Sequence, residues 1–238
     1  MIGIEQYCYD DLLFSGTDRI GPQLFFSAAR TAENEKAALD LIRYSLTYYL
    51  GWSPEEAALR FSAETLERMG IAGEVKGRIA FPPEAKEDPE AKRQYLLARL
   101  YPGCCTYDPV PFTKACYDKG LLSGRLPEGF FDESTGGHDR AGVCLLHALR
   151  KDGYETPEKM YDLMAKSAAG RWLMMKKLKK YCDGHFSTPA DFLKSALPEE
   201  KETEKFYRKA RERIIWRRES ARRRYGSLCF TEEAERNA

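Results

Sequence analysis

The sequence predicts an all-α protein with at most minor β content: two diverged tandem helical modules followed by a C-terminal basic amphipathic helix. Three observations carry that expectation. Cap-and-proline helix starts recur along the chain, apolar residues repeat at helical spacing, and no alternating run of strand type persists.

The elements follow in order. Ala37 to Leu50 places Ala38, Leu41, Ile42 and Leu46 on one face of a helix. Ser53-Pro54-Glu55-Glu56 is a helix start in which each residue has a reason. The Ser53 hydroxyl accepts from an orphan N–H, Pro54 occupies the first helical position, and Glu56 reaches back to the cap. Ser62 is expected to cap a second short helix carrying Leu66 and Met69 and ended by Gly70. Thr156-Pro157 and Thr188-Pro189 repeat the cap-plus-proline device. Strand signals are confined to Val75–Phe81 and to the pairs Phe25-Phe26 and Phe130-Phe131, read as short extended pieces.

An internal duplication emerges at an offset of about 103–105 residues, the kind of signal that decides an architecture when it is present. Pro22-x-x-Phe25-Phe26 returns as Pro127-x-x-Phe130-Phe131. Glu35-Lys36-Ala37 with Leu41-Ile42 returns as Asp139-Arg140-Ala141 with Leu145-Leu146. Ser53-Pro54-Glu55 matches Thr156-Pro157-Glu158, and Phe81 matches Phe186. Leu96-Leu97-x-x-Leu100-Tyr101-Pro102 matches Phe192-Leu193-x-x-Ala196-Leu197-Pro198, with the charged insertion Glu84–Lys92 absorbing most of the slippage. The expected organisation is a first module over 1–103, a second over 104–200, and a basic helix and tail over 201–238.

Composition narrows the setting. The 238 residues carry a net charge of +1, so the chain is neither uniformly basic nor uniformly acidic. No stretch approaches the roughly 20 apolar residues of a membrane helix, and the N-terminus lacks a basic region followed by an apolar run. A cytoplasmic protein with no membrane partner is expected, its seven cysteines remaining thiols.

The balanced total conceals a polarised distribution. Lys205, Arg208, Lys209, Arg211, Arg213, Arg217, Arg218, Arg222, Arg223 and Arg224 are opposed within their segment only by Glu212 and Glu219. That stretch is therefore +8, and the remainder of the chain about −7. Phe206, Ala210, Ile214 and Ala221 fall near one helical face, with Trp216 and Tyr225 at its flanks, so the cations are expected on the outer surface. Arginines outnumber lysines eight to two, which suits planar recognition of phosphate. These ten residues are the candidate nucleic-acid-binding set. A membrane surface fits worse, because the apolar stripe lacks the bulky residues of interfacial helices.

Other motifs carry less. Trp52–Gly70 is similar to the helix-turn-helix of small DNA-binding domains, with Glu74–Arg78 as a wing. Its junction is shorter than the usual turn, and Glu64 and Glu67 would face phosphates, so a packed helical hairpin is expected. The corresponding Pro157–Leu178 segment is more basic, with Lys166, Arg171, Lys176 and Lys177 followed by Lys179 and Lys180. Cys144-x-x-His147 and Cys182-x-x-His185 have zinc-ligand spacing, the second with the glycine of a zinc knuckle. A core cysteine beside a half-buried histidine accounts for the first pair, and no metal is assigned to either. Cys104-Cys105 with Cys116 is a looser cluster. The loop Ser134-Thr135-Gly136-Gly137-His138-Asp139 has amides that could hold a phosphate, although a loop ending in an Asp139 cap explains it as well. Neither a P-loop, a dinucleotide fingerprint nor a nucleophile elbow is present, so no catalytic residue and no cofactor is assigned. The expected function is non-catalytic binding of DNA or RNA, as a nucleic-acid-binding protein or accessory subunit. The alternative is a helical adaptor whose basic helix docks on an acidic protein partner.

Overall fold

The computed structural model describes residues 34–44, 46–47, 51–62, 79–86, 88–198 and 200–236, with side chains of the last helix described as far as Arg223. Among these residues the protein is mostly helical and forms no β-strand. The chain divides into two compact units, Met1–Phe112 and Thr113–Ala238.

In the first unit, α1 (Glu35–Tyr44) packs on α3 (Pro89–Leu100). Ala38, Leu39 and Ile42 of α1 are buried with Leu96, Leu97 and Leu100 of α3, joined by Leu46, Phe61 and Ile79. Two arginines close helix ends. Arg43 Nε donates to the Leu100 carbonyl at 3.0 Å, and Arg93 donates to the Phe61 and Ala58 carbonyls at the end of α2 (Pro54–Arg60). Such cations satisfy orphan carbonyls at the negative end of a helix. The Ser53/Glu56 capping box forms as the sequence predicts. Asp88-Pro89, inside the charged insertion, starts α3 with a one-sided cap, the Asp88 carboxylate accepting from Ala91 N and Pro89 standing in the first turn.

The second unit holds most of α4 (Pro109–Ser123), which begins at the end of the first, and all of α5 (Gly137–Lys151), α6 (Pro157–Met164), α7 (Ala169–Met175), α8 (Lys179–His185), α9 (Pro189–Ala196) and α10 (Lys201–Arg236). The short α9 is central, packing on α5, α6, α8 and α10. Its Ala190, Phe192 and Leu193 are fully buried, and each of the two larger side chains contributes about 2–3 kcal/mol on burial. Thr156 and Thr188 cap α6 and α9 as expected. Helix α5 ends in a Schellman turn, with Tyr154 N donating to Leu149 O, Gly153 N donating to Arg150 O, and Gly153 at φ 86°.

Several expectations are corrected. Phe130 and Phe131 lie in tight turns rather than an extended piece, because Gly129 takes φ 68° and Phe130 N and Asp132 N donate back to Pro127 O and Gly129 O. Asp139 is not the cap of α5. Gly136, in the left-handed conformation at φ 81°, stands there, and Asp139 falls in the first turn. Cys182 to His185 form the end of helix α8 rather than a knuckle turn. Ile79–Phe81, the described part of the expected strand, forms none. The second helix of the proposed hairpin (63–69), Gly70, the wing and Pro22–Phe26 lie outside the described residues.

Candidate functional site

Helix α10 begins where Pro198 ends the preceding segment and Thr203 Oγ1 bonds both the amide and the carbonyl of Glu200. Glu202 and Glu204 sit in its first turn, where the helix dipole favours negative charge. At 1.5 Å per residue its 36 residues reach about 54 Å. The eight-residue helices α6 and α9 against which it packs reach only about 12 Å each.

That mismatch sets which residues dock. Thr203, Ala210 and Ile214 are buried, with Phe206 and Tyr207 partly buried beside them. The Tyr207 hydroxyl donates to Asp191 at 2.7 Å, and its ring carries the Lys194 ammonium at 4.4 Å from the centroid. Lys194 in turn pairs with Glu204 at 2.9 Å. Phe206, Ala210 and Ile214 thus sit on the docked side as expected. Ala221 does not: it is exposed, because the helix has outrun the surface it packs on.

The candidate cations fan around the remaining, solvent side. Lys205, Arg208, Lys209, Arg211, Arg213, Arg218, Arg222 and Arg223 are exposed and Arg217 is half-buried, while the side chain of Arg224 is outside the described residues. Three are engaged: Arg208 pairs within the helix with Glu204 at 3.2 Å, while Arg213 reaches Asp162 of α6 at 3.0 Å and Arg218 the Ser187 carbonyl at 2.9 Å. Exposed pairs of this kind are worth at most about 1 kcal/mol and exchange readily. Among the described residues, Lys205, Lys209, Arg211, Arg217 and Arg222 make no ion pair. From Lys205 to Arg223 the helix rises about 27 Å. The cations do not form a single stripe, since at 100° per residue Glu212 and Glu219 fall among them on the outward side.

Beside this row lies an open groove of about 570 Å³. Ala165, Lys166 and Ser167 form one wall, and Glu212, Arg213, Trp216 and Arg217 of α10 form the other. Trp216 is 68% exposed, although large aromatic side chains are normally well buried. The sequence marks Trp216 only as a flank of the apolar stripe and Lys166 only as one base among several. Their juxtaposition depends on the docking of α10 and had no local signal.

The zinc-spaced pairs point elsewhere. Cys144 is fully buried, and His147 Nε2 faces Asp118 Oδ2 at 3.1 Å. Cys182 is buried, and burial above all pushes its thiol up to about 11. His185 faces Glu133 at 3.0 Å and packs against Tyr181, whose hydroxyl meets His138 Nδ1 at 3.1 Å. Cys104 and Cys105 fall in the first unit and Cys116 in the second. Among the described residues no group of three or more His, Cys, Asp or Glu side chains is placed to hold a metal ion.

The glycine loop has a steric explanation. The amides of Ser134, Thr135, Gly136 and Gly137 are all taken by Asp132 or Glu133 acceptors within the loop. A Cβ on Gly137 would lie 2.3 Å from the Phe131 carbonyl carbon, so only glycine lets the helix start against that strand of backbone. These amides are not available to cradle a phosphate.

No helix among the described residues is long and apolar enough to cross a membrane. No family model matches the chain, and neither a curated protein nor a solved structure resembles it significantly.

Proposed function

We propose that the chain is a non-catalytic nucleic-acid-binding protein or accessory subunit whose helix α10 contacts phosphates. The observation that carries this reading is the set of five cations that have no ion-pair partner among the described residues, Lys205, Lys209, Arg211, Arg217 and Arg222. They are spread along a helix held at its base by Thr203, Tyr207, Ala210 and Ile214. A held helix presents its charges with less ordering cost than a free tail, and neutralised phosphates release counterions. Phosphate contacts position without reading sequence, so little sequence preference is expected. Anisotropy titrations of labelled duplex DNA, single-stranded DNA and RNA test this, using a variant with those five residues changed to alanine. Affinity for the preferred polymer should drop at least tenfold in a variant that keeps its helical spectrum. Equal affinity would remove the reading.

A second reading, a protein–protein adaptor docking on an acidic surface, is favoured by the ties Arg208–Glu204 and Arg213–Asp162 and by Glu212 and Glu219 among the cations. Side chains already engaged with carboxylates are suited to exchanging one carboxylate for another. We further propose that the two modules are diverged copies of one. The pairing of α1 with α3 and of α5 with α9 supports this, because those helices carry the matched segments. Ser53 and Thr156 cap helices at corresponding places as well.

A further inference from the structure

We infer that the groove at Trp216 takes an unpaired nucleobase, so the polymer bound by α10 is single-stranded or locally unpaired nucleic acid. This rests on the nucleic-acid reading and adds the class of ligand. A tryptophan 68% exposed, in the middle of the most basic helix of the chain, is a flat apolar face offered to solvent. Its neighbours across and along the groove are Lys166, Arg213 and Arg217, with Ser167 as a hydroxyl donor and acceptor. Aromatic faces interleaved with cations are what a single strand needs, because every base has a π-face and every linkage a charge. A duplex keeps its base faces stacked inside and shows a protein only edges and phosphates, so it leaves this indole without a partner.

Glu212 lines the same groove and opposes a phosphate laid against it. It therefore helps to sort the ligand. Phosphates go to Lys166 and Arg217, and the base goes to Trp216, where exocyclic amino groups can donate to the Glu212 carboxylate. Arg213 joins by exchanging its exposed partner Asp162 for a phosphate, a swap that costs little for a pair more than half exposed on each side. The volume of about 570 Å³ falls within the range of sites that hold small organic groups.

The test compares the full chain with Trp216→Ala and Trp216→Phe by anisotropy, using labelled single-stranded and duplex 20-mers of the same sequence at several salt concentrations. Loss of base stacking should weaken single-strand binding about 5- to 150-fold for Trp216→Ala. The salt slope should stay unchanged, because no phosphate contact is lost. Trp216→Phe should recover most of the affinity, and duplex binding should move less than twofold in both variants. Unlabelled single strand should also quench the wild-type tryptophan emission and fail to quench that of Trp216→Phe. If wild type binds both polymers alike and Trp216→Ala changes neither, the groove is not a base site, and the phosphate reading of α10 still stands. If no polymer binds the wild type, both ideas fall together. If the groove instead takes a peptide, nucleic acid will not quench Trp216, and the inference is overturned.

Discussion

Arg140 offers a quantitative test of how the second unit is held together. It is 5% exposed and projects from α5 into the loop that precedes the helix. Its Nε donates to Phe130 O at 2.7 Å, one terminal nitrogen to Thr135 O at 2.5 Å, and the other to Thr135 Oγ1 at 2.6 Å. Arg140→Met keeps the length and packing of the side chain and removes all three donors. The Phe130 carbonyl, buried with its residue, would lose its charged donor at a cost of about 1–3 kcal/mol. Thr135 is exposed, so its carbonyl and hydroxyl can turn to water, adding about 1 kcal/mol. Relief from desolvating the guanidinium offsets part of this. A net loss of about 2 kcal/mol is expected, which lowers the midpoint of thermal unfolding of this unit by roughly 8 °C. Arg140→Lys should do no better, because one ammonium cannot span acceptors arranged for a fork. Calorimetry or urea unfolding reads the loss directly. A Met variant within 1 kcal/mol of wild type would refute the claim that this guanidinium fixes the loop.

Three further predictions concern neighbouring features. Gly137→Ala should cost about 2–3 kcal/mol by the same measurement, since its Cβ meets backbone atoms of Phe131 and Asp132 that cannot turn aside; an unchanged midpoint would contradict the steric account. Burial alone would raise the Asp152 carboxyl, but hydrogen bonds from Lys176 and Trp172 outweigh it and hold the group below the usual carboxylate value. Its stabilisation is therefore complete above about pH 4 and lost as pH falls through the lower folded value. The stability gap between wild type and Asp152→Asn should shrink between pH 7 and pH 3, and a gap of constant size would sink the assignment. Iodoacetamide at pH 8 with peptide mapping should label exposed Cys104 quickly, and buried Cys144 and Cys182 only after unfolding; equal rates would show the two buried thiols to be accessible.

Local grammar was legible in the sequence, and tertiary placement was not. Ser53, Thr156 and Thr188 announce their helices because cap chemistry involves residues only three apart. The same logic missed Asp88-Pro89, hidden inside a run of charges that reads as a solvated insertion. Gly136 and Gly137 read as a ligand loop because the sequence carries no sign of the Phe131 backbone lying against Gly137. The cation row on α10 followed from charge counting, yet the end of its apolar stripe at Ile214 did not, since that depends on how short α6 and α9 are. Trp216 and Lys166 are 50 residues apart and meet only because α10 docks on α6. No periodicity encodes such a meeting.

On the proposed function, the cations of α10 meet phosphates. The most direct test is the salt dependence of binding to single-stranded DNA or RNA, with the wild type beside the variant in which Lys205, Lys209, Arg211, Arg217 and Arg222 are alanine. Each phosphate contact adds about 0.7 to the slope of log K against log salt on a single strand. If all five engage, the variant's slope should be shallower by about 3.5, with a large loss of affinity at low salt. A folded variant with the wild-type slope, or a wild type that binds no nucleic acid at roughly physiological salt, would contradict the account and leave the acidic protein partner as the reading to pursue.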